Sequence, residues 1–256
     1  MIRLTLPEKP VELTSELEEA LIEEFRSSEK AVWHASYIQK PLLEMTAHKC
    51  AYCERQLGEG VNVTLDHYVH KNQAPEKVVA WDNLLPCCQS CNSSKGTYNV
   101  LTEPFFNPVA AHIQAHLEMT AGGMFKGISV EGRAVIGRMG LNASDQKVPP
   151  RYRLIQKITE FLEDCDDLCE KLEQQNTPRE RTKLRNIVRS LLHMTRRQSE
   201  FSAIAATILL HDPRLEEAKN CLERLNDWNV DLSQMLVNAQ EIALTLRIKQ
   251  VQPHFS

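Results

Sequence analysis

The 256-residue chain has no run approaching the ~18 apolar residues that a membrane span needs. Met1 to Pro10 also lacks the apolar stretch of a secretory signal, so a cytoplasmic protein is expected. Glycine is sparse, at 9 residues, and no low-complexity tract occurs, which excludes the fibrous and disordered classes. Aromatics, at 6%, do not mark out a stacking platform for single-stranded nucleic acid. Excess positive charge is missing too: a net charge of −4 excludes a protein that coats nucleic acid through bulk charge. No Walker A sequence is present, so any ATP must bind through a partner.

What is present is 42% apolar and 25% charged residues, enough for one or two globular domains. Four segments are expected: an N-terminal helical segment (1–47), a Cys- and His-rich core (48–100), a Gly-rich connector (101–150) and a C-terminal helical domain (151–256). In the first, Leu13, Leu17, Leu21, Ile22, Phe25, Val32 and Tyr37 recur at helical steps, predicting one or two helices that start at a Thr14 or Ser15 cap and stop before Pro41. In the connector, Lys126 to Ile136 alternates loosely and predicts a β-hairpin turning near Glu131-Gly132. Helical periodicity returns from Pro149-Pro150, broken near Asn176-Thr177-Pro178 and at His211-Asp212-Pro213.

Charge is segregated. Glu8 to Glu29 carries net −6, Glu160 to Glu173 net −6, and Pro178 to Arg197 net +6. The acidic and basic helices of the C-terminal half are expected to be antiparallel neighbours pairing these faces; the alternative is that the Arg-rich helix contacts phosphates.

Cys50-Ala51-Tyr52-Cys53 and Cys88-Gln89-Ser90-Cys91 form two CxxC pairs 34 residues apart. Each can turn as a knuckle that presents two thiolates, and four sulfurs make a closed tetrahedral zinc site. In a segment with few large apolar side chains such a site would replace a hydrophobic core. Cys87 competes with Cys88; a two-residue gap, matching the first pair, favours Cys88.

Between the pairs lie Thr64-Leu65-Asp66-His67-Tyr68 and Trp81-Asp82-Asn83-Leu84-Leu85-Pro86, with Asn92 and Lys95 after the second pair. Over residues 50–96 this order resembles the HNH, or ββα-metal, nuclease family. The resemblance implies an α+β fold, in which a small ββα-metal unit with a four-cysteine zinc site is flanked by an N-terminal helix and a C-terminal α-helical bundle. Phosphodiester hydrolysis needs an activated water and neutralisation of transition-state charge. His67, neutral near pH 7, is the candidate general base. Asp66 and Asn92 offer hard oxygens suited to one catalytic Mg²⁺ or Mn²⁺. Family resemblance gives Asn83 the task of fixing the loop that holds His67. Lys95 and Lys71 are candidate phosphate contacts, and His70 is a conceivable further ligand. Losing Asp66 or Asn92 is expected to abolish cleavage with zinc content and thermal stability intact.

The flanks, with Glu103-Pro104-Phe105-Phe106-Asn107-Pro108 and Gly140-Leu141-Asn142 followed by Arg151, resemble the HNH subunits of Septu antiphage systems (PtuB) and retron-associated relatives. Family members commonly read Asp-His-Phe-Arg-Pro-Lys where this chain has Asp66-His67-Tyr68-Val69-His70-Lys71. That resemblance implies an endonuclease acting on DNA, chiefly phage DNA, beside a PtuA-like ABC-type ATPase. Residues 48–99 are charge-neutral, consistent with a subunit to which another protein delivers substrate, whereas 100–157 carries net +3. Two other readings are an HNH enzyme acting on RNA such as tRNA, and a non-catalytic zinc-ribbon scaffold.

Overall fold

The computed structural model describes residues 1–58, 60–143 and 147–247. The N-terminal segment forms two helices, α1 (Ser15–Ser28) and α2 (Ser36–Met45). Thr14 caps α1 by accepting the Leu17 N–H at 3.3 Å. Pro41 does not stop α2, which runs four residues past it. An internal proline costs a helix about 3 kcal/mol, and the complete burial of Ile38 and Leu42 on either side offsets it.

The Cys- and His-rich core is a two-stranded antiparallel sheet, β1 (Val63–His67) against β2 (Leu84–Cys88), followed directly by α3 (Gln89–Lys95). This is the expected ββα order. Side chains alternate across the sheet. Leu65 and Leu84 join Phe25, Trp33, Ile38, Leu42 and Val78 in a small core under the N-terminal helices, while Leu85 and Cys87 join the main core on the other face. The sheet therefore lies between two apolar clusters, and its end is held from both sides.

The connector corrects the hairpin expectation. Residues 130–138 are helix α4 (Val130–Arg138), capped by Ser129, which accepts the Gly132 N–H at 2.9 Å. The hairpin lies upstream, β3 (Leu117–Thr120) with β4 (Phe125–Gly127), turning through Gly122-Gly123, where Gly123 takes a left-handed φ of 74°. Short β4 and the small residues around it carry too little alternation to be distinguished from the first turns of α4. Gly132 and Gly127 let α4 approach the end of β3: a Cβ on Gly132 would collide with the His116 carbonyl, and one on Gly127 with the Arg133 backbone. Gly132→Ala is expected to lower stability by at least ~2 kcal/mol, read as a fall in Tm of several degrees in a thermal melt.

Five helices follow: α5 (Val148–Gln174), α6 (Pro178–Met194), α7 (Ser202–His211), α8 (Pro213–Arg224) and α9 (Val230–Ile242). Helix α7, apolar all round, is buried from Ser202 to Leu209 and is packed by α5, α6, α8 and α9. A last strand, β5 (Thr245–Arg247), pairs parallel with β3. α5 and α6 do pack together, but their charges pair elsewhere. Arg185 meets Asp227 at 2.7 Å and Arg189 meets Asp231 at 3.3 Å, both acids from the α8–α9 corner, and the α5 acids Glu163 and Glu173 meet Arg214 and Arg224 of α8. Among the described residues no helix is long and apolar enough to cross a membrane.

Candidate active site and metal centre

Both CxxC knuckles close on one point. Cys50, Cys53, Cys88 and Cys91 are buried, and their sulfurs lie within 4.8 Å of one another, Cys53 and Cys88 at 3.7 Å. Zn–S bonds of about 2.3 Å in a tetrahedron put neighbouring sulfurs about 3.8 Å apart, so this donor set fits zinc. Cys87 falls outside the cluster, its thiol turned to the Cys88 carbonyl at 3.3 Å. The knuckles are not isolated from apolar packing, as sequence composition suggests they would be: Ala51, Tyr52 and Leu57 belong to the main core that continues into the helical bundle.

His67 closes β1 and faces the smaller core. Its Nε2 lies 2.9 Å from the Val78 carbonyl oxygen. A carbonyl only accepts, so Nε2 carries the proton and Nδ1 keeps a free lone pair. Trp33 stands edge-on to the imidazole, with centroids 4.5 Å apart and planes at 89°. Burial, against the pull of the Val78 hydrogen bond, pushes the His67 pKa down to about 4, so the ring is neutral at pH 7.

The Val78 carbonyl is itself held in place. Asn83 accepts the Val69 N–H at 2.7 Å and donates to the Val69 and Lys77 carbonyls, each at 3.0 Å. One buried amide thus ties the chain just after His67 to the chain just before Val78.

Asp66 points to the opposite face of the sheet from His67, as neighbours on a strand must. Its carboxylate accepts from Tyr52 Oη at 2.6 Å and from Lys95 Nζ at 2.8 and 2.9 Å. Burial pushes this carboxyl up, opposed by Lys95 and Tyr52. Lys95 is a correction to the sequence reading. Its side chain is 0% exposed, and Nζ also contacts the carbonyls of His67 and Tyr68 at 2.5 and 3.0 Å, so it fastens the strand end rather than reaching phosphate. The stability expectation for Asp66 changes with it, since either partner's loss leaves a buried charge unpaired. Lys95→Met is expected to destabilise by about 3–5 kcal/mol, measured by chemical denaturation.

Asn92 is half-buried on α3, one turn before Lys95. One Asp66 oxygen accepts only from Lys95 and so keeps an acceptor site, but this carboxylate is buried and ion-paired on the face away from His67; the Asn92 amide supplies the other hard oxygen that the sequence offers. Lys71 lies over Trp33, with Nζ 4.8 Å from the ring centroid, and His70 Nδ1 accepts the Asn72 N–H at 3.2 Å. No sequence signal marks Trp33, which lies far upstream of the motif. Tyr52, inside the first knuckle, reads in sequence only as a spacer.

Comparison with known proteins agrees with this architecture. Residues 50–97 match the HNH endonuclease family model. The Septu protein PtuB of Bacillus thuringiensis is 32% identical over 243 residues, covering 94% of each chain. No solved structure matches the chain. A ββα core with its cysteine knuckles closed, embedded in a chain that aligns with PtuB almost end to end, is an HNH nuclease core, and the chain belongs to the PtuB family.

Proposed function

We propose that this chain is a metal-dependent HNH endonuclease that hydrolyses phosphodiester bonds in DNA, specifically phage DNA, as the nuclease subunit of a cytoplasmic Septu-type defence complex with a PtuA-like ABC-type ATPase. The observation that carries the chemistry is the His67 ring, neutral and with Nδ1 unprotonated at the strand end. Nδ1 takes a proton from a water as its oxygen attacks phosphorus and the bond to the leaving oxygen breaks. Val78 and Trp33 hold the ring in that orientation, and Asn83 holds the Lys77 carbonyl just before Val78. Asp66 and Asn92 would hold a Mg²⁺ or Mn²⁺ ion, which when bound neutralises charge on the phosphate. Lys95 and Tyr52 keep the Asp66 carboxylate in place. The four cysteines hold zinc in a structural role.

The partner reading is supported by the PtuB kinship and by the absence of a phosphate-binding Walker sequence in this chain. Co-purified with its ATPase and given Mg²⁺ or Mn²⁺, the protein is expected to cut plasmid and leave total RNA intact. Cleavage of RNA alone would replace the DNA assignment with the RNA reading.

A further inference from the structure

A cavity of about 910 Å³ lies apart from the catalytic histidine. It is a groove beside the zinc knuckles, lined by Cys88 and walled by the turn into β1 at Asn62, the exposed face of α3 at Gln89 and Ser93, and the start of α5. Three cations line it, Arg55, Lys147 and Arg153, and no carboxylate does among the described residues; Glu59 and Asp145, their neighbours in sequence, lie outside these. Neither guanidinium pairs with a described carboxylate. Lys147 is 2% exposed, and among the described residues its ammonium donates to the Met139 carbonyl. A buried ammonium with no described counter-ion on a groove wall favours an anion.

We infer that this groove binds the phosphodiester backbone of the nucleic acid that the catalytic end cuts. Its lining favours a polymer backbone over a free nucleotide: it spans three separate elements, it carries hydroxyl and amide groups beside the cations, and no aromatic ring among the described residues lines it to stack a base. Register fixes its relation to the chemistry. Val63 lies opposite Cys88 at the groove, and His67 opposite Leu84 at the catalytic end. Four strand steps separate them by about 13 Å, roughly four base pairs of rise along a duplex. A duplex seated in the groove is long enough to reach both. The charge argument points the same way, because the nuclease core alone is neutral and Lys147 and Arg153 reach it only when the more basic connector and α5 dock.

The inference rests on the nuclease reading only for its choice of ligand, and the test separates the two. Binding of the full chain to a short fluorescent DNA duplex is measured by anisotropy across a salt series, beside hydrolysis of bis(p-nitrophenyl) phosphate with Mn²⁺, a substrate too small to span the groove. The double variant Arg55→Glu, Arg153→Glu is expected to weaken duplex binding at least ~10-fold and to lower the salt slope by about 2, with small-substrate hydrolysis unchanged. Ser93→Glu, at an exposed position, should weaken binding in the same direction without removing a cation. His67→Ala should show the reverse pattern, losing hydrolysis and keeping affinity. Absence of duplex binding by the unaltered chain at low salt, or affinity within about twofold in both groove variants, overturns the inference. So does displacement of duplex by submillimolar ATP or inorganic phosphate, which would make the groove a small-anion site. Loss of affinity in the groove variants, without hydrolysis by the unaltered protein, would keep the groove and remove the nuclease reading.

Discussion

His67→Ala is expected to reduce DNA cleavage by the assembled complex about 10²- to 10⁴-fold, the range that a positioned general base supplies. The protein should remain folded, because the ring is held by one carbonyl and one aromatic edge rather than by an ion pair. The pH profile adds a second reading. An ordinary histidine titrates near 6.5, whereas burial holds this one at about 4, so the neutral, proton-accepting form persists well below pH 6. Cleavage should therefore stay level from pH 7 to about 5 and fall only as the folded pKa is approached. Stability carries the same sign: between 6.5 and 4 the unfolded chain binds a proton at this position that the folded chain does not, so stability declines as pH falls through that window. Plasmid cleavage by the alanine variant at the unaltered rate would remove His67 from the chemistry.

Cys53→Ser should act on the fold instead. Structural zinc contributes about 10–16 kcal/mol of apparent binding energy, comparable to or larger than the ~5–15 kcal/mol net stability of a typical domain. Cys53 lies in the same apolar cluster as Ile158, Leu162 and Leu191 of the bundle, so unfolding should spread beyond the knuckles instead of stopping at residue 100. Metal analysis should show zinc lost, and a thermal melt should show a collapsed or much lower transition. Asn92→Ala should keep both zinc and melting temperature while losing cleavage. Asp66→Ala should lose cleavage and stability together, because Lys95 is left as an unpaired buried charge. A Cys53→Ser protein that folds and cuts normally would overturn the structural-zinc assignment.

The sequence alone determined the features that depend on local spacing. Two CxxC pairs dictate knuckles, because a two-residue gap brings both sulfurs to one side of a tight turn, and they close on a shared point as expected. Helical periodicity and proline breaks located the bundle helices, with Pro178 and Pro213 at the starts of α6 and α8. Asn83 reads as a loop-fixing residue from its place in the motif, and its amide does bridge two backbone segments.

Only the tertiary structure decided which way each side chain turns and what it meets. Asp66 and His67 are adjacent in the chain and face opposite cores, so the carboxylate meets Lys95 and Tyr52 while the imidazole meets Val78 and Trp33. Lys95, a candidate phosphate contact by its place after the second Cys pair, is buried because α3 packs directly on β1. The Arg-rich helix finds its acids on the α8–α9 corner rather than on α5, because that corner packs beside the middle of α6, where Arg185 and Arg189 stand. Residue types and spacing specify which groups are present; long-range packing fixes their partners, and with them their charge and reach.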